Sequence, residues 1–243
     1  ETDPSLASKV LKIANSSYYG IPRTIYNIQS AIALLGFNTV KTLVLSSTAL
    51  KALPKKSRCP HFDYKTFWKH SVEVAVIARF LARTGLGALD SELAFTAGLL
   101  HDIGKLIFDE YLPKDWEQAL EQSISENKEL YKIEQEFLGI HHAELSGLLL
   151  EHWGIHESLQ GPLKYQYNPE LGGNCSPLAF VIHYANYLSH LSGTNPVKDE
   201  PMPELHPDAL EAIGVSYTPE EMLSLLEGEL EYVTEFLHLI QLD

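Results

Sequence analysis

The residues in this chain best suited to chemistry are histidines and carboxylates at spacings that helices could bring together. The densest group is the doublet His101-Asp102, at the polar end of the apolar run 94–105, AFTAGLLHDIGK. An imidazole beside a carboxylate pairs a borderline nitrogen with a hard anionic oxygen, a donor set that suits Zn, Mn, Fe or Mg better than a packed core. Lys105 follows Asp102 by three residues, one helical turn on, where its ammonium could meet a phosphate oxygen. An HD dipeptide alone arises by chance in many chains. It gains weight here from its apolar approach and from other histidines that could converge on it. His70 is one of these, three residues after Phe67 and four before Val74 on the inward stripe of its segment. A histidine on an apolar face is usually a core residue, but ahead of an HD doublet the metal reading stands level with it.

The elements that must position these side chains read as helices. No segment alternates with a period of two, so the expected fold class is all-α. A helix start is expected at Asp3-Pro4-Ser5. Leu6, Val10, Leu11 and Ile13 then keep helical spacing up to a break at Asn15-Ser16-Ser17, and Tyr18-Tyr19-Gly20-Ile21-Pro22 reads as a loop. Asn15, Tyr18 and Tyr19 invite a ligand reading. The preferred one is plainer: Asn15 caps or turns the chain, and the tyrosines pack over the core edge. Ile32, Leu35, Val40, Leu43 and Val44 give two more helical stretches about Gly36-Phe37-Asn38. Segment 54–63, polar and with two prolines, is a linker.

Beyond the linker, 64–83 is a strong helix carrying His70, ended by Gly85 and Gly87. Asp90 or Ser91 caps the helix that carries the doublet. Leu112-Pro113 stops that element, and 116–137 is expected as one acidic helical stretch. In the next helix Leu145, Leu148, Leu149 and Trp153 form the expected core face and His142 lies near it. His141, His152 and His156 are expected to cap or to face solvent. The helix 176–190 places Ala179, Ile182, Ala185, Asn186 and Ser189 near one face, with His183 one turn before Asn186. A Pro-rich connection, 195–207, leads to two acidic helices, 207–213 and 219–240. The stripe Met222, Leu226, Leu230, Val233 and Leu237 on the second reads as core or as the seam of a homodimer.

Composition narrows the function classes. With 243 residues, 45% of them hydrophobic, the chain can bury a sizeable core. A formal charge of −14 argues against nucleic acid as the main partner, because phosphate backbones need a basic footprint. The one basic cluster, 51–58, is short and contains Pro54, and reads as solvated linker. No apolar run approaches the roughly 18 residues of a membrane span. The first residues lack a signal peptide's basic and apolar regions. Cys59 and Cys175 are too few and too far apart for a disulfide framework or a CxxC zinc site. A reducing cytoplasm is the expected compartment.

Several blocks occur in a telling order: DPSLASKVLKIANSSYYG, AIALLGFNTVKTLVL, FWKHSVEVAVIAR, AGLLHDIGK, HHAELSGLLLEHWGI and LAFVIHYANYLS. Together they resemble the bacterial HDOD domain, a relative of the HD phosphohydrolases and of the HD-GYP cyclic-di-nucleotide phosphodiesterases. The resemblance runs from about residue 3 to 189. It implies an all-helical, two-lobed HDOD domain over 1–190, with an N-terminal lobe to about 55, an HD-like lobe over 62–190, and a helical extension, 191–243, packed on it. The family usually carries another helix before the DP block, so the chain is expected to begin inside its domain. HDOD proteins are generally regarded as signalling modules, mostly without demonstrated catalysis.

The catalytic HD pattern is His, then His-Asp, then a distant Asp. His70, His101 and Asp102 match the first three; the distant Asp falls at Asn186. A neutral amide is a weak ligand, whereas a carboxylate adds charge that holds a divalent ion. HD-GYP enzymes need further histidines. His142 matches one, but the later pair falls at Gln166-Tyr167 and the GYP signature is missing. The resemblance therefore implies a dismantled dinuclear site. At most one divalent ion (Fe, Mn, Zn, Ni or Mg) would bind, held by His70, His101 and Asp102 with His142, His183 or Asn186 as further ligands.

Three readings remain open. The leading one is a bacterial signalling module that binds a protein partner or a small phosphate-bearing ligand, with a vestigial metal site and no turnover. The second is a residual metal-dependent phosphohydrolase acting on a nucleotide or phosphomonoester, in which Lys105 neutralises a phosphate oxygen. The third is a structural oligomerisation domain whose His101 and Asp102 only hydrogen-bond to neighbours.

Overall fold

The structure, a computed structural model, describes residues 10–15, 19, 21–22, 24–37, 39–40, 44, 56–85 and 89–240, apart from the side chains of 235 and 238–240. The expected helix start at Asp3-Pro4-Ser5, the break at Ser16-Ser17, Tyr18, Gly20, Asn38, Leu43, Gly87 and most of the basic cluster lie outside the described residues.

Among the described residues the regular structure is helical, and the only β pairing is an isolated antiparallel bridge between Phe62 and Val197. Residues 10–14 end in Asn15, whose amide donates to the carbonyls of Leu11 and Ile25 (both 2.8 Å) and whose Oδ1 accepts from the Ile25 N–H at 2.6 Å. Asn15 therefore turns the chain, as the plainer reading expects. Helix α1 (Ile28–Leu35) follows, capped by Asn27.

The central element is α2 (Tyr64–Thr84). Asp63 caps it by accepting the Thr66 N–H, and it is buried on nearly every side. Helix α3 (Ser91–Leu100), capped by Asp90, packs along it at short range. The reason is Gly98: a Cβ there would lie 2.7 Å from the Ala75 Cα, so only hydrogen lets the two backbones approach. The apolar run expected to carry the doublet is not one helix. It breaks at Asp102 (φ −112°, ψ 13°), and α4 (Ile103–Tyr111) starts beyond it.

The stretch expected over 116–137 is two helices, α5 (Pro113–Glu126) and α6 (Leu130–Leu138). Asn127 divides them with a left-handed φ of 50°, a conformation an Asn tolerates better than most residues. In α7 (His142–His152) the inward face is Ala143, Ser146, Gly147 and Leu150. Leu148 and Trp153, expected there, are instead 40% and 37% exposed. Small residues win that face because α4 comes so close that a Cβ on Gly104 would meet the His142 carbonyl at 2.1 Å. His141 caps α7 and His156 caps α8 (Glu157–Lys164), as expected. A 3-10 segment (Pro169–Cys175) then leads into α9 (Ser176–Leu191), which lies against α2.

After α9 an irregular connection, 194–206, crosses back over the start of α2. Its Pro196 carbonyl accepts the Asp63 N–H at 2.8 Å, and its Lys198 N–H donates to His61 at 2.9 Å. At the far end the His206 N–H donates to His183 Nε2 at 2.8 Å, while His183 Nδ1–H donates to the Gln166 carbonyl at 2.8 Å. Both nitrogens of His183 are thus committed to holding this connection, which corrects its reading as a further metal ligand. Helices α10 (Ala209–Ile213) and α11 (Pro219–Ile240) close the chain. Met222, Leu226, Val233 and Phe236 of α11 are buried in the common core, with Phe236 edge-on to Phe95 at 5.6 Å. That stripe is core within the chain.

Two expectations follow from this packing. Gly98→Ala gains about 1 kcal/mol of helix propensity but forces α2 and α3 apart, a net loss of about 1–3 kcal/mol. Its urea midpoint should fall, and an unchanged midpoint would contradict the close approach. The second concerns acid. Burial pulls His183 down to about 4 from an ordinary 6.5. As pH falls from 6.5 towards 4 the unfolded chain takes up that proton first, so stability drops by up to about 1.4 kcal/mol per pH unit. His183→Asn should remove about one proton's worth of that slope in urea unfolding across this window, and an unaltered slope would place the acid sensitivity elsewhere.

Candidate metal centre

The break between α3 and α4 turns His101 and Asp102 inward, α2 brings His70 to them, and α7 brings His142. All four are fully buried, as is Lys105. Ligand atoms of His70, His101 and Asp102 lie within 4.8 Å of one another. His101 Nε2 is 3.3 Å from Asp102 Oδ1, and His70 Nε2 is 3.9 Å from Oδ2.

Hydrogen bonds behind the rings set their tautomers. His101 Nδ1 lies 2.7 Å from the Gly98 carbonyl, which can only accept, so Nδ1 carries the proton. His70 Nδ1 lies 3.1 Å from the Thr194 carbonyl and 3.0 Å from Ser189 Oγ. Ser189 gives its own proton to Glu73 at 2.9 Å, so again Nδ1 must donate. Burial holds His70 well below its ordinary value, and it is neutral. The outcome is two Nε2 atoms, buried and without hydrogen-bond partners, directed at a carboxylate.

Charge in the pocket is balanced internally. Burial opposes ionisation of Asp102, but His101, Lys105 and His142 outweigh it and hold the carboxyl well below its usual range. Lys105 Nζ forms an ion pair with Asp102 Oδ2 at 2.8 Å and lies 3.9 Å from Glu200 Oε1; these carboxylates keep the ammonium charged against its burial. Burial pushes His142 down, yet Glu134 and Asp102 raise it to about 9. Its Nδ1 is 2.5 Å from Glu134 Oε2, its Nε2 is 2.8 Å from the Tyr167 hydroxyl, and the Trp116 indole fixes Glu134 from the other side at 2.8 Å.

The donor set fits a divalent ion. Two imidazole Nε2 atoms and a carboxylate converge, and both rings are oriented by hydrogen bonds from behind. A cation between them would satisfy these buried ring nitrogens and the carboxylate together. His70, His101 and Asp102 therefore come together as the sequence suggests. His142 sits beside them, 3.4 Å from Asp102, but as a hydrogen-bonded cation rather than a free donor. Asn186 is buried on α9, one turn from Ser189 and His190, and its Oδ1 has no hydrogen-bond partner. Lys105 departs from its expected role: it is buried against Asp102 instead of facing an open surface where a phosphate could reach it.

Other members of the site went unrecognised in the sequence. His190, with its ring 4.9 Å from that of His70, stands four residues after Asn186, a spacing that could have flagged it. Glu134 and Glu200 carry no local signal. Gln166 and Tyr167, where the resemblance puts the missing histidine pair, are both in use: Gln166 donates to the His101 carbonyl at 3.1 Å, and Tyr167 meets His142.

Comparison with known proteins agrees with this architecture. A protein of Treponema pallidum (strain Nichols) is 24% identical over 202 residues, covering 82% of this chain, which spans only 38% of that relative. A candidate phosphohydrolase from Shewanella amazonensis SB2B is 28% identical, with a TM-score of 0.73 over 97% of this chain and 83% of its own. A candidate signal transduction protein from Marinobacter aquaeolei VT8, 23% identical, has a TM-score of 0.77 over 99% of this chain and 52% of its own. The family model for the HDOD domain matches residues 1–169. With most of its length matched and the all-α fold in place, the chain belongs to the HDOD domain family.

Proposed function

We propose that the chain is a regulatory module that works by binding a signalling partner or a small phosphate-bearing ligand, and that its HD centre is a mononuclear remnant that does not turn over substrate. The observation that carries this reading is the Asp102–Lys105 ion pair at 2.8 Å inside a fully buried cluster. The carboxylate that a catalytic ion would need already shares its charge with a tethered ammonium, and a dication there would be repelled by Lys105 and by protonated His142. Asn186 adds to this, since the resemblance puts it where catalytic relatives carry a carboxylate. By the same resemblance, Gln166 and Tyr167 fall where a second metal would need histidines. The relative named for signal transduction is in keeping with a regulatory role.

A second reading draws on the two unpartnered Nε2 atoms and on the relative named for phosphohydrolysis. A divalent ion held by His70, His101 and Asp102 would supply Lewis acidity to a phosphate oxygen. For that, this chain would have to release Lys105 from Asp102 and open the buried cluster to a substrate.

The two readings separate in one set of measurements. Untagged protein purified without chelator is analysed for metal by plasma mass spectrometry. It is then assayed with Mn, Fe or Zn on a phosphomonoester and a cyclic dinucleotide. The expected result is no hydrolysis above buffer, while Asn186→Asp raises metal affinity by about tenfold or more, the effect of one added charged ligand. Hydrolysis by the unaltered chain that disappears in His101→Ala would overturn the non-catalytic reading.

A further inference from the structure

We propose that residues 194–206 form a strap that plugs the centre, with the Glu200 carboxylate occupying the seat of an anionic ligand over the Lys105 ammonium. The inference rests on the reading of the centre as a binding pocket. It adds what now fills that pocket and what must move.

The strap is tied at both ends; between them the Glu204 N–H donates to Glu129 Oε1 at 2.9 Å, Lys132 pairs with the Glu204 carboxylate at 3.5 Å, and Glu200 points inward. Its first residue, Thr194, bonds the centre directly through its carbonyl to His70 Nδ1 and through its hydroxyl to Glu73 at 2.9 Å. The Phe62–Val197 bridge and the bonds to Asp63 and His61 secure the near end, and His183 secures the far end through the His206 N–H. Between them the chain reverses at Asp199, whose φ of 62° is left-handed. That turn aims Glu200 inward. Pro201 and Pro203 follow; they stiffen the segment and leave no N–H groups to satisfy there.

Glu200 is poorly served where it sits. Its side chain is 8% exposed, its nearer oxygen is 3.9 Å from Lys105 Nζ, too long for a hydrogen bond, and its other oxygen has no partner. A carboxylate buried on such terms is held by charge and by the strap's anchors rather than by a fitted set of donors. Beside it, Glu129, Tyr131, Tyr167 and His190 line a small cavity, with the Glu129 carboxylate already engaged by Lys132 and the Glu204 N–H. Tyr167 stacks on Tyr131 with centroids 4.1 Å apart, and His190 Nδ1 is buried without a hydrogen-bond partner. Lifting Glu200 would expose an ammonium, an imidazole and a tyrosine-lined wall, a seat of the right chemistry for a phosphate or carboxylate group. The outer side of the strap is open: Lys198 and Asp199 are exposed, and the Glu204 side chain is 82% exposed.

The test uses the full chain, free of added metal, with inorganic phosphate as probe. Lys198 is the only tryptic site between 194 and 206, so cleavage after it reports strap opening. Hydrogen exchange at the Glu204 and His206 amides reports the same event without a protease. Glu200→Gln keeps the shape and removes the charge. It should speed cleavage at Lys198 and exchange at both amides several-fold, and tighten phosphate binding by about tenfold. In the unaltered chain phosphate should itself accelerate cleavage at Lys198, with saturation. If Glu200→Gln leaves either strap opening or phosphate affinity unchanged, the inference is overturned. That failure is distinct from failure of the functional reading, which is judged by metal content and hydrolysis. An inert chain with an unresponsive strap would lose only the strap, and an active phosphohydrolase with a responsive strap would lose only the non-catalytic assignment.

Discussion

A fully buried carboxylate governs this structure. Asp102 is fully buried, and an isolated ionised group in such a place would cost far more than a domain's net stability. It persists because Lys105, one turn along α4, pairs with it and because His142 is kept protonated by a second buried carboxylate, Glu134. These partners come from separate elements, so the packing of α2, α3, α4, α6 and α7 is tied to one charge balance. Removing any member would leave another buried and uncompensated.

The outer hydrogen bonds carry that constraint into the rest of the molecule. Glu73 organises Ser189 and Thr194, and these fix the ring of His70. Trp116 fixes Glu134, and Glu134 fixes His142. The close approaches at Gly98 and Gly104 bring the backbones near enough for these bonds to form. The same connection that supplies Thr194 to His70 also supplies Glu200 to Lys105, so the chain beyond α9 is part of the centre and not an appendage. A centre wired in this way is well suited to report whether something has displaced one of its charges. That property is in keeping with the proposed regulation by binding; repeated turnover would need free entry of substrate and exit of product.

Much of this was legible in the residues. Helical spacing gives the all-α class, the strong helix over 64–83 and the apolar approach to the doublet. The composition of the doublet names its chemistry, because His and Asp side chains keep their donor character wherever they fold. The ordered blocks point to the HDOD family, which the match over residues 1–169 establishes. Asn15 and His156 act locally, as caps and turns do, and local interactions are those that a linear reading can reach.

What the sequence determined by itself is therefore the helical class, the family, and the trio His70, His101 and Asp102 as candidate donors. The tertiary structure alone decided what those donors face. It placed Lys105 against Asp102 and not at an open surface, gave His183 to the connection, and brought in His190, Glu134 and Glu200 from distant segments. It also broke the doublet's run at Asp102 and split the acidic stretch at Asn127. The physical reason is the same in each case. Periodicity shows which side of a helix is buried, but the pairing of buried charges depends on which helices lie opposite, and that is settled only when the whole core closes.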